Sequence, residues 1–289
     1  MQYRSKIPIA IERYLLDGTI LAVLVILYAP LLIHWFDGWL SKDISVEQTY
    51  FSHRLIGLPF AAYIVWTNRQ RWGQLPNTTH PLSIVLLVLG GVFYLSGQSE
   101  LVNLSFPIVL VGVILWLKGV PGLKLQGFPL LLLALATPNP VPYLIAPFAM
   151  PLQQFIAGTA GFILLQLGFN VTVEQIYVSV GGRVVEIGAY CSGLKLLFNT
   201  FYLGLVLLYW SGAWHSRKTT MLFLIGTGIL GIIASIVRNT LLVGLHVTGH
   251  DSAFEWLHQG SGGHVYSACC MVLLVPLLNV IERVFPEKG

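Results

Sequence analysis

Residues 221–245 read MLFLIGTGILGIIASIVRNTLLVGL, a run of 25 residues whose only charge is Arg238. A helix rises about 1.5 Å per residue, so the run crosses the roughly 30 Å hydrocarbon core of a bilayer. Comparable apolar runs lie outward from it on both sides. They fall near Ile20 to Trp35, Leu55 to Trp66, Leu82 to Leu95, Phe106 to Leu117, Leu125 to Ala136, Pro140 to Phe169, Leu194 to Trp210 and Val265 to Ile281, nine in all with the first. Across the 289 residues 55% are hydrophobic and 10% charged. A soluble domain keeps about a quarter of its residues charged, so this composition excludes a soluble enzyme with a membrane tail. The length holds about eight spans with short loops and leaves no room for a sizeable soluble domain.

The charges between the runs alternate in sign. If the N-terminus, with Arg4, Lys6 and Arg13, is cytoplasmic, Arg69/Arg71, Lys118/Lys124, Arg217/Lys218 and Arg283/Lys288 fall inside too, 11 of the 16 basic residues. The other side receives Lys42 and Arg183, together with Asp37, Asp43, Glu47, Glu100, Glu174, Glu186, Asp251 and Glu255. That bias is the one the positive-inside rule predicts, with both termini cytoplasmic. The net charge of +4 and pI near 9.0 therefore reflect orientation in a membrane and imply no nucleic-acid partner.

Both termini inside requires an even number of spans, so one of the nine runs does not cross. Pro140 to Phe169, with Pro140, Pro142, Pro147, Pro151, Gln153, Gln154 and Gln166, reads as an outer interfacial or re-entrant segment. Behind it, Val171 to Ile187 is rich in β-branched residues and turns at Gly181-Gly182, which predicts a β-hairpin on the outer face. The expected fold is thus an all-α polytopic membrane domain over residues 1–289, with about eight helices, the outer segment and the hairpin. The N-terminal stretch does not read as a signal peptide, because its apolar core is too long and no small-residue cleavage site follows it. No internal repeat or low-complexity tract is visible.

Arg54, Lys195 and Arg238 sit at or inside spans, where an unpartnered charge costs at least about 2.5 kcal/mol and marks a functional candidate. Cys191 opens the helix that follows the hairpin, with Lys195 one turn on. The positive end of the helix dipole and the lysine both favour thiolate. Cys269 and Cys270 lie among apolar residues of the last span and read as packing residues. With Cys191 alone near the outer surface, no disulfide framework is supported. The loop before the last span carries His246, His250, His258 and His264, with Asp251 and Glu255. Short connections make the last three spans neighbours. A cysteine, an arginine and a histidine loop therefore reach one membrane face, the set of nucleophile, positive charge and base that acyl transfer requires.

At these residues the sequence resembles the exosortase/archaeosortase family of multispan membrane cysteine peptidases or transpeptidases. Cys191-Ser192-Gly193-Leu194-Lys195 matches the family's cysteine motif and Arg238-Asn239 its arginine motif. His258, with Gly262 four residues on, matches the histidine, although Gly263 stands where bacterial members usually have Trp, which leaves His264 as a rival. Tyr50-Phe51-Ser52-His53 is similar to the family's Tyr-Ser-His-Gly segment, with Phe51 inserted and Arg54 in place of Gly. The resemblance covers roughly residues 45 to 282, and the Gly262-Gly263 variant looks more like the cyanobacterial branch. It implies Cys191, Arg238 and His258 as catalytic residues, with Lys195, Ser192, Asn239, His264 and His53 as supporting candidates. It also implies no cofactor and no metal, exported protein substrates bearing a C-terminal motif, helix and basic tail, and an amine, a polysaccharide-linked group or water as acceptor. The implied place is the cell membrane, with the site on its extracytoplasmic face.

Two other classes fit parts of the sequence. A zinc metalloprotease would use His246, His250, Asp251, His258 and His264, yet no Glu completes a His-Glu-x-x-His arrangement. A transporter or polysaccharide-export component would line a path with polar residues, yet these gather at the outer face and not at the bilayer midplane.

Overall fold

The computed structural model describes residues 9–40, 54–138, 144–145, 149–188, 194–258 and 260–285. In chain order the helices are α1 (Ile9–Leu40), α2 (Arg54–Thr67), α3 (Arg69–Gln74), α4 (Leu82–Leu95), α5 (Ser99–Ala136), α6 (Met150–Gln166), α7 (Leu194–Ser211), α8 (Arg217–Val247), α9 (Asp251–His258), α10 (Ser261–Val272) and α11 (Leu274–Val284). A three-residue 3-10 turn, Ala213–His215, joins α7 to α8. Among the described residues four stretches are helical, long and apolar enough to cross a membrane: Gly18–Trp35, Ser99–Ala136, Arg217–Val247 and Ser261–Val284. Gly57–Thr67, Leu82–Leu95 and Leu196–Ser211 are shorter apolar helices. The chain is a multi-pass, all-α membrane protein with a small antiparallel sheet.

α5 is helical throughout except at Gly119, whose φ of 57° and ψ of −150° interrupt it. Its two arms serve different neighbours. The first runs antiparallel to α4, with Gly90 against Val109, Gly112 against Leu87, and the His80 amide donating to the Leu115 carbonyl. The second runs antiparallel to α2: Asn68 Nδ2 donates to the Leu125 carbonyl at 3.3 Å, and Tyr202 Oη, which sits on Gly57, donates to that of Leu132 at 3.0 Å. The kink at Gly119 folds the second arm back far enough that a Cβ at Gly122 would lie 3.4 Å from Ile114, eight residues earlier, so the two apolar runs expected from the sequence, with Lys118 and Lys124 between them, are two arms. Lys118 is buried beside this kink and its ammonium donates to the Leu75 carbonyl at 2.7 Å.

In the C-terminal half α7 and α8 pack antiparallel, with Gly231 against Leu197 and Thr200, and Gly204 against Phe223 and Thr227. Glycine lets the backbones approach, as is common between helices in lipid. α11 returns along α8, with Leu277 against Gly226. Three buried polar side chains of α8 bond back to their own helix: Thr227 donates to the Phe223 carbonyl, Ser235 to that of Gly231 and Asn239 to that of Ser235, each at 2.8 Å. These bonds remove the cost of an unpaired polar group in an apolar interior.

The expected hairpin is a three-stranded meander, β1 (Val171–Glu174), β2 (Tyr177–Val180) and β3 (Arg183–Glu186), in the order β1-β2-β3. The Gly181-Gly182 turn is where the sequence places it, both residues having positive φ (58° and 83°), as a two-residue hairpin turn requires. The extra turn falls at Gln175, a non-glycine residue with φ of 55°, which splits one continuous β-branched run into two strands. Of the segment expected to be interfacial or re-entrant, residues 140–143 and 146–148 lie outside the described set, and Met150–Gln166 is a regular helix. Its Ile156, Ala157 and Leu164 share a core with Val178, Val180 and Ile187 around the sheet and Val243 of α8. The sheet is thereby fixed at the C-terminal end of α8.

The two ends of the bundle differ in charge. Arg71 and Lys124 share one end with Tyr209 and Trp214, next to the start of α8 with Arg217 and Lys218. The opposite end holds Arg183, Arg238, Asp251 and Glu255. Arg217 and Arg238 are separated by about 32 Å of helix, close to one hydrocarbon thickness.

A test of this packing is available at Gly57, where a Cβ would fall on the Tyr202 ring. Tyr202 is 3% exposed and held by its bond to Leu132, so it has little room to move. Gly57→Ala is expected to destabilise the protein by about 1–3 kcal/mol. Thermal unfolding in detergent, compared with Gly18→Ala at a position with nothing within 4 Å, measures it.

Candidate active site

Arg238 lies two to three turns before the end of α8, with mostly apolar neighbours along its own helix, and it is half-buried. Its Nη2 donates to the carbonyls of Leu257 and His258, both at 3.4 Å. Those are the last carbonyls of α9, a helix end with partial negative charge, which is a favourable seat for a cation. Nε of Arg238 is buried and has no hydrogen-bond partner among the described residues. A guanidinium has five N–H donors, so donor capacity remains after the bonds to α9.

His258 is the last residue of α9 and half-buried. Its ring stacks on Phe254, one turn earlier, with centroids 5.1 Å apart and planes 21° from parallel. His246 packs against the same phenyl ring at 5.0 Å. Burial pushes the His258 pKa below 6.5, the Arg238 charge pushes it the same way, and Glu255 opposes them. Burial and the arginine both favour the neutral imidazole, the form able to accept a proton.

α9 is held from the sheet side. Arg183 of β3 donates to the His246 carbonyl and also contacts Asp251 Oδ1 at 3.4 Å, while His246 Nδ1 lies 3.5 Å from the same carboxylate. Asp251 opens α9, where a negative charge suits the helix dipole. Across the following turn Gly262 lies under the Trp256 ring, and a Cβ at Gly263 would be 3.1 Å from the Leu257 carbonyl and 3.6 Å from Arg238 Nη2. The glycines at 262 and 263 thus let α10 start close beside α9 and Arg238.

Arg238 and His258, both expected from sequence, are brought together. Asn239 is 3% exposed and points its amide at the Ser235 carbonyl, facing the helix interior. His264, the rival to His258, lies on the exposed face of α10. Cys270 is buried with Leu196 and Ala234, as a packing residue should be, and Cys269 is exposed on the same helix. Cys191, Ser192 and His53 lie outside the described residues, and Lys195 is placed only as a helical residue of α7. The loop histidines go separate ways: His250 Nδ1 pairs with Thr248 Oγ1 at 2.9 Å, His246 faces Asp251, and His258 stacks on Phe254. Among the described residues no three His, Cys, Asp or Glu side chains converge as a metal would need. Phe254 and the Arg183 brace were not singled out from sequence. The i,i+4 spacing of Phe254 and His258 on one helix carried the signal for the first, whereas nothing local links Arg183 to Asp251.

The comparisons with known proteins add to this geometry. The family model described as transmembrane exosortase matches residues 39–275, most of the chain. Neither the curated proteins nor the solved structures provide a match. With four-fifths of its length under that model, the chain belongs to the transmembrane exosortase family.

Proposed function

We propose that this protein is a membrane cysteine peptidase or transpeptidase that cuts the C-terminal sorting tail from exported proteins at the extracytoplasmic face of the cell membrane. Both termini are cytoplasmic in this reading, as the charge bias favours. A tail of motif, helix and basic cluster would stop in the membrane with its basic end inside, which presents the motif at the outer face.

The observation that carries the reading is the seat of Arg238 against the last turn of α9, whose final residue is His258. Cys191 stands three residues before Leu194, so its Cα is at most about 11 Å from that of Leu194. Leu196, in the same helical turn, packs on Ala234, one turn before Arg238. The tether is short enough for the cysteine to reach the arginine.

In the proposed reaction the Cys191 thiolate attacks the peptide carbonyl carbon and the oxyanion that forms is stabilised by Arg238. His258 first takes the thiol proton and then delivers it to the amine as the C–N bond breaks. A thioester acyl-enzyme remains and the helical tail leaves. Water or an amine then attacks the thioester and restores the thiol. Lys195 adds supporting positive charge near the start of α7.

The experiment that tests the assignment is to quench the enzyme with a tailed substrate in acid and map the adduct by mass spectrometry. An acyl group on Cys191 is expected, and an adduct confined to another residue, or cleavage without any adduct under burst conditions, would sink the mechanism. The low pKa of His258 gives a further prediction. Its proton-accepting form persists below pH 6.5, so the acidic limb of kcat/KM should have its midpoint under that value. In His258→Asn the limb should vanish and the rate fall by about 10²–10⁴-fold. A limb unchanged by His258→Asn would remove His258 from proton transfer.

A further inference from the structure

The end of the bundle opposite Arg238 carries a recess, a cavity of about 460 Å³ between the end of α2, the second arm of α5, the end of α7 and the Ala213–His215 turn. Two cations, Arg71 and Lys124, line it; both are exposed, and neither makes an ion pair among the described residues. Arg69, their neighbour, is committed elsewhere: its guanidinium lies 4.3 Å over the Trp66 ring and donates to the Trp66 carbonyl. The walls are aromatic. Phe128 and Tyr209 stack with centroids 4.3 Å apart, and Trp214 meets Phe128 edge-on at 5.4 Å. A Cβ at Gly127 would meet nothing within 4 Å, so the recess is open there, and Leu131, 40% exposed, carries its lining toward the lipid side. Tyr209 lies about 22 Å along α7 from Leu194, which sets the recess near the membrane boundary opposite the candidate active site.

We propose that this recess binds the phosphate headgroup of an anionic phospholipid, with Arg71 and Lys124 pairing the phosphate and Phe128, Tyr209 and Trp214 packing on the glycerol and first acyl carbons. Two uncommitted cations define an anion site, and amphipathic aromatic rings are at home at the headgroup level. The apolar side toward lipid favours an anion that carries acyl chains over a soluble one. A basic peptide would be repelled by the same two charges. The assignment does not depend on the activity proposed for the other end.

The test uses the purified full chain in phosphatidylcholine micelles, with thermal unfolding and native mass spectrometry of retained lipid as readouts. Added phosphatidylglycerol is expected to raise Tm by roughly 3–6 °C and to be retained in preference to phosphatidylcholine. Arg71→Gln/Lys124→Gln should lose at least half of both effects, while Arg69→Gln keeps them. Both residues are exposed, and an unchanged Tm in phosphatidylcholine alone checks that the double variant folds. Inorganic phosphate and glycerol phosphate should produce no shift. A phosphatidylglycerol effect that persists in the double variant, or is matched by extra phosphatidylcholine, overturns the site. A shift of equal size from inorganic phosphate alone overturns the lipid assignment in favour of a soluble anion.

Discussion

Cys191→Ala is expected to abolish release of the tail from an exported reporter, a loss on the order of 10⁴-fold or more, while leaving the protein in the membrane at normal abundance. The size follows from chemistry. Without the thiolate no acyl-enzyme forms, and the remaining groups would have to direct water at an unactivated peptide bond. Cys191→Ser should be almost as inactive, because a hydroxyl beside the same charges stays protonated where a thiol ionises. The measurement is the ratio of full-length to trimmed reporter in membranes of cells expressing each variant. Normal trimming by Cys191→Ala would refute the proposed mechanism outright. It would leave the lipid recess untouched, since Arg71 and Lys124 lie at the other end of the bundle.

Arg238→Ala carries the second largest expected effect, a fall in kcat of about 10²–10³-fold, typical for removal of one preorganised oxyanion donor. Arg238 engages two carbonyls through Nη2 alone and keeps a buried Nε without a partner among the described residues, so the group has capacity to spare for a developing negative charge. Lysine should restore little, because a point-charge ammonium cannot hold the α9 carbonyls and face the substrate together. The substitution also leaves the Leu257 and His258 carbonyls without their cation, so Tm and elution profile must accompany the kinetics. A structural role alone would lower Tm and leave kcat of the surviving folded protein unchanged. A catalytic role lowers kcat at constant folded fraction and shifts the His258 limb upward, since the Arg238 charge contributes to its low pKa.

The candidate site was legible where its chemistry is written locally. Arg238 stands out because a charge in an apolar run is costly, and that cost is a property of the run itself. His258 was preferred over His264 because Gly262 follows it by four residues as in the family motif; in the fold the His258 ring stacks on Phe254 and its carbonyl meets Arg238, while His264 lies on an exposed helical face. Asn239 was read as a supporting site residue because Arg238-Asn239 matches the family's arginine motif; in the fold it is buried and its amide donates to the Ser235 carbonyl one turn back. The Arg183 brace joins residues 68 apart in the chain, and no local pattern encodes such a contact.

The fold divides along the same line. Hydropathy alone determined a multi-pass helical protein, because the cost of burying charge in lipid acts residue by residue wherever the chain runs. Charge alternation along the sequence likewise separates the two ends. The turn at Gly181-Gly182 was readable because two consecutive glycines accept positive φ without strain. Tertiary structure decided what depends on partners. Gln175 takes a positive φ that its side chain does not favour, held by pairing with β2 and by the core that β2 shares with α6 and α8, and so a hairpin becomes a meander. Gly119 breaks α5 because each arm buries its face against a different helix. The lowered pKa of His258, and the lack of an ion pair for Arg71 and Lys124 among the described residues, depend on which groups desolvate or neutralise one another across the fold. Sequence fixes the solvent of each segment; neighbours fix its electrostatics.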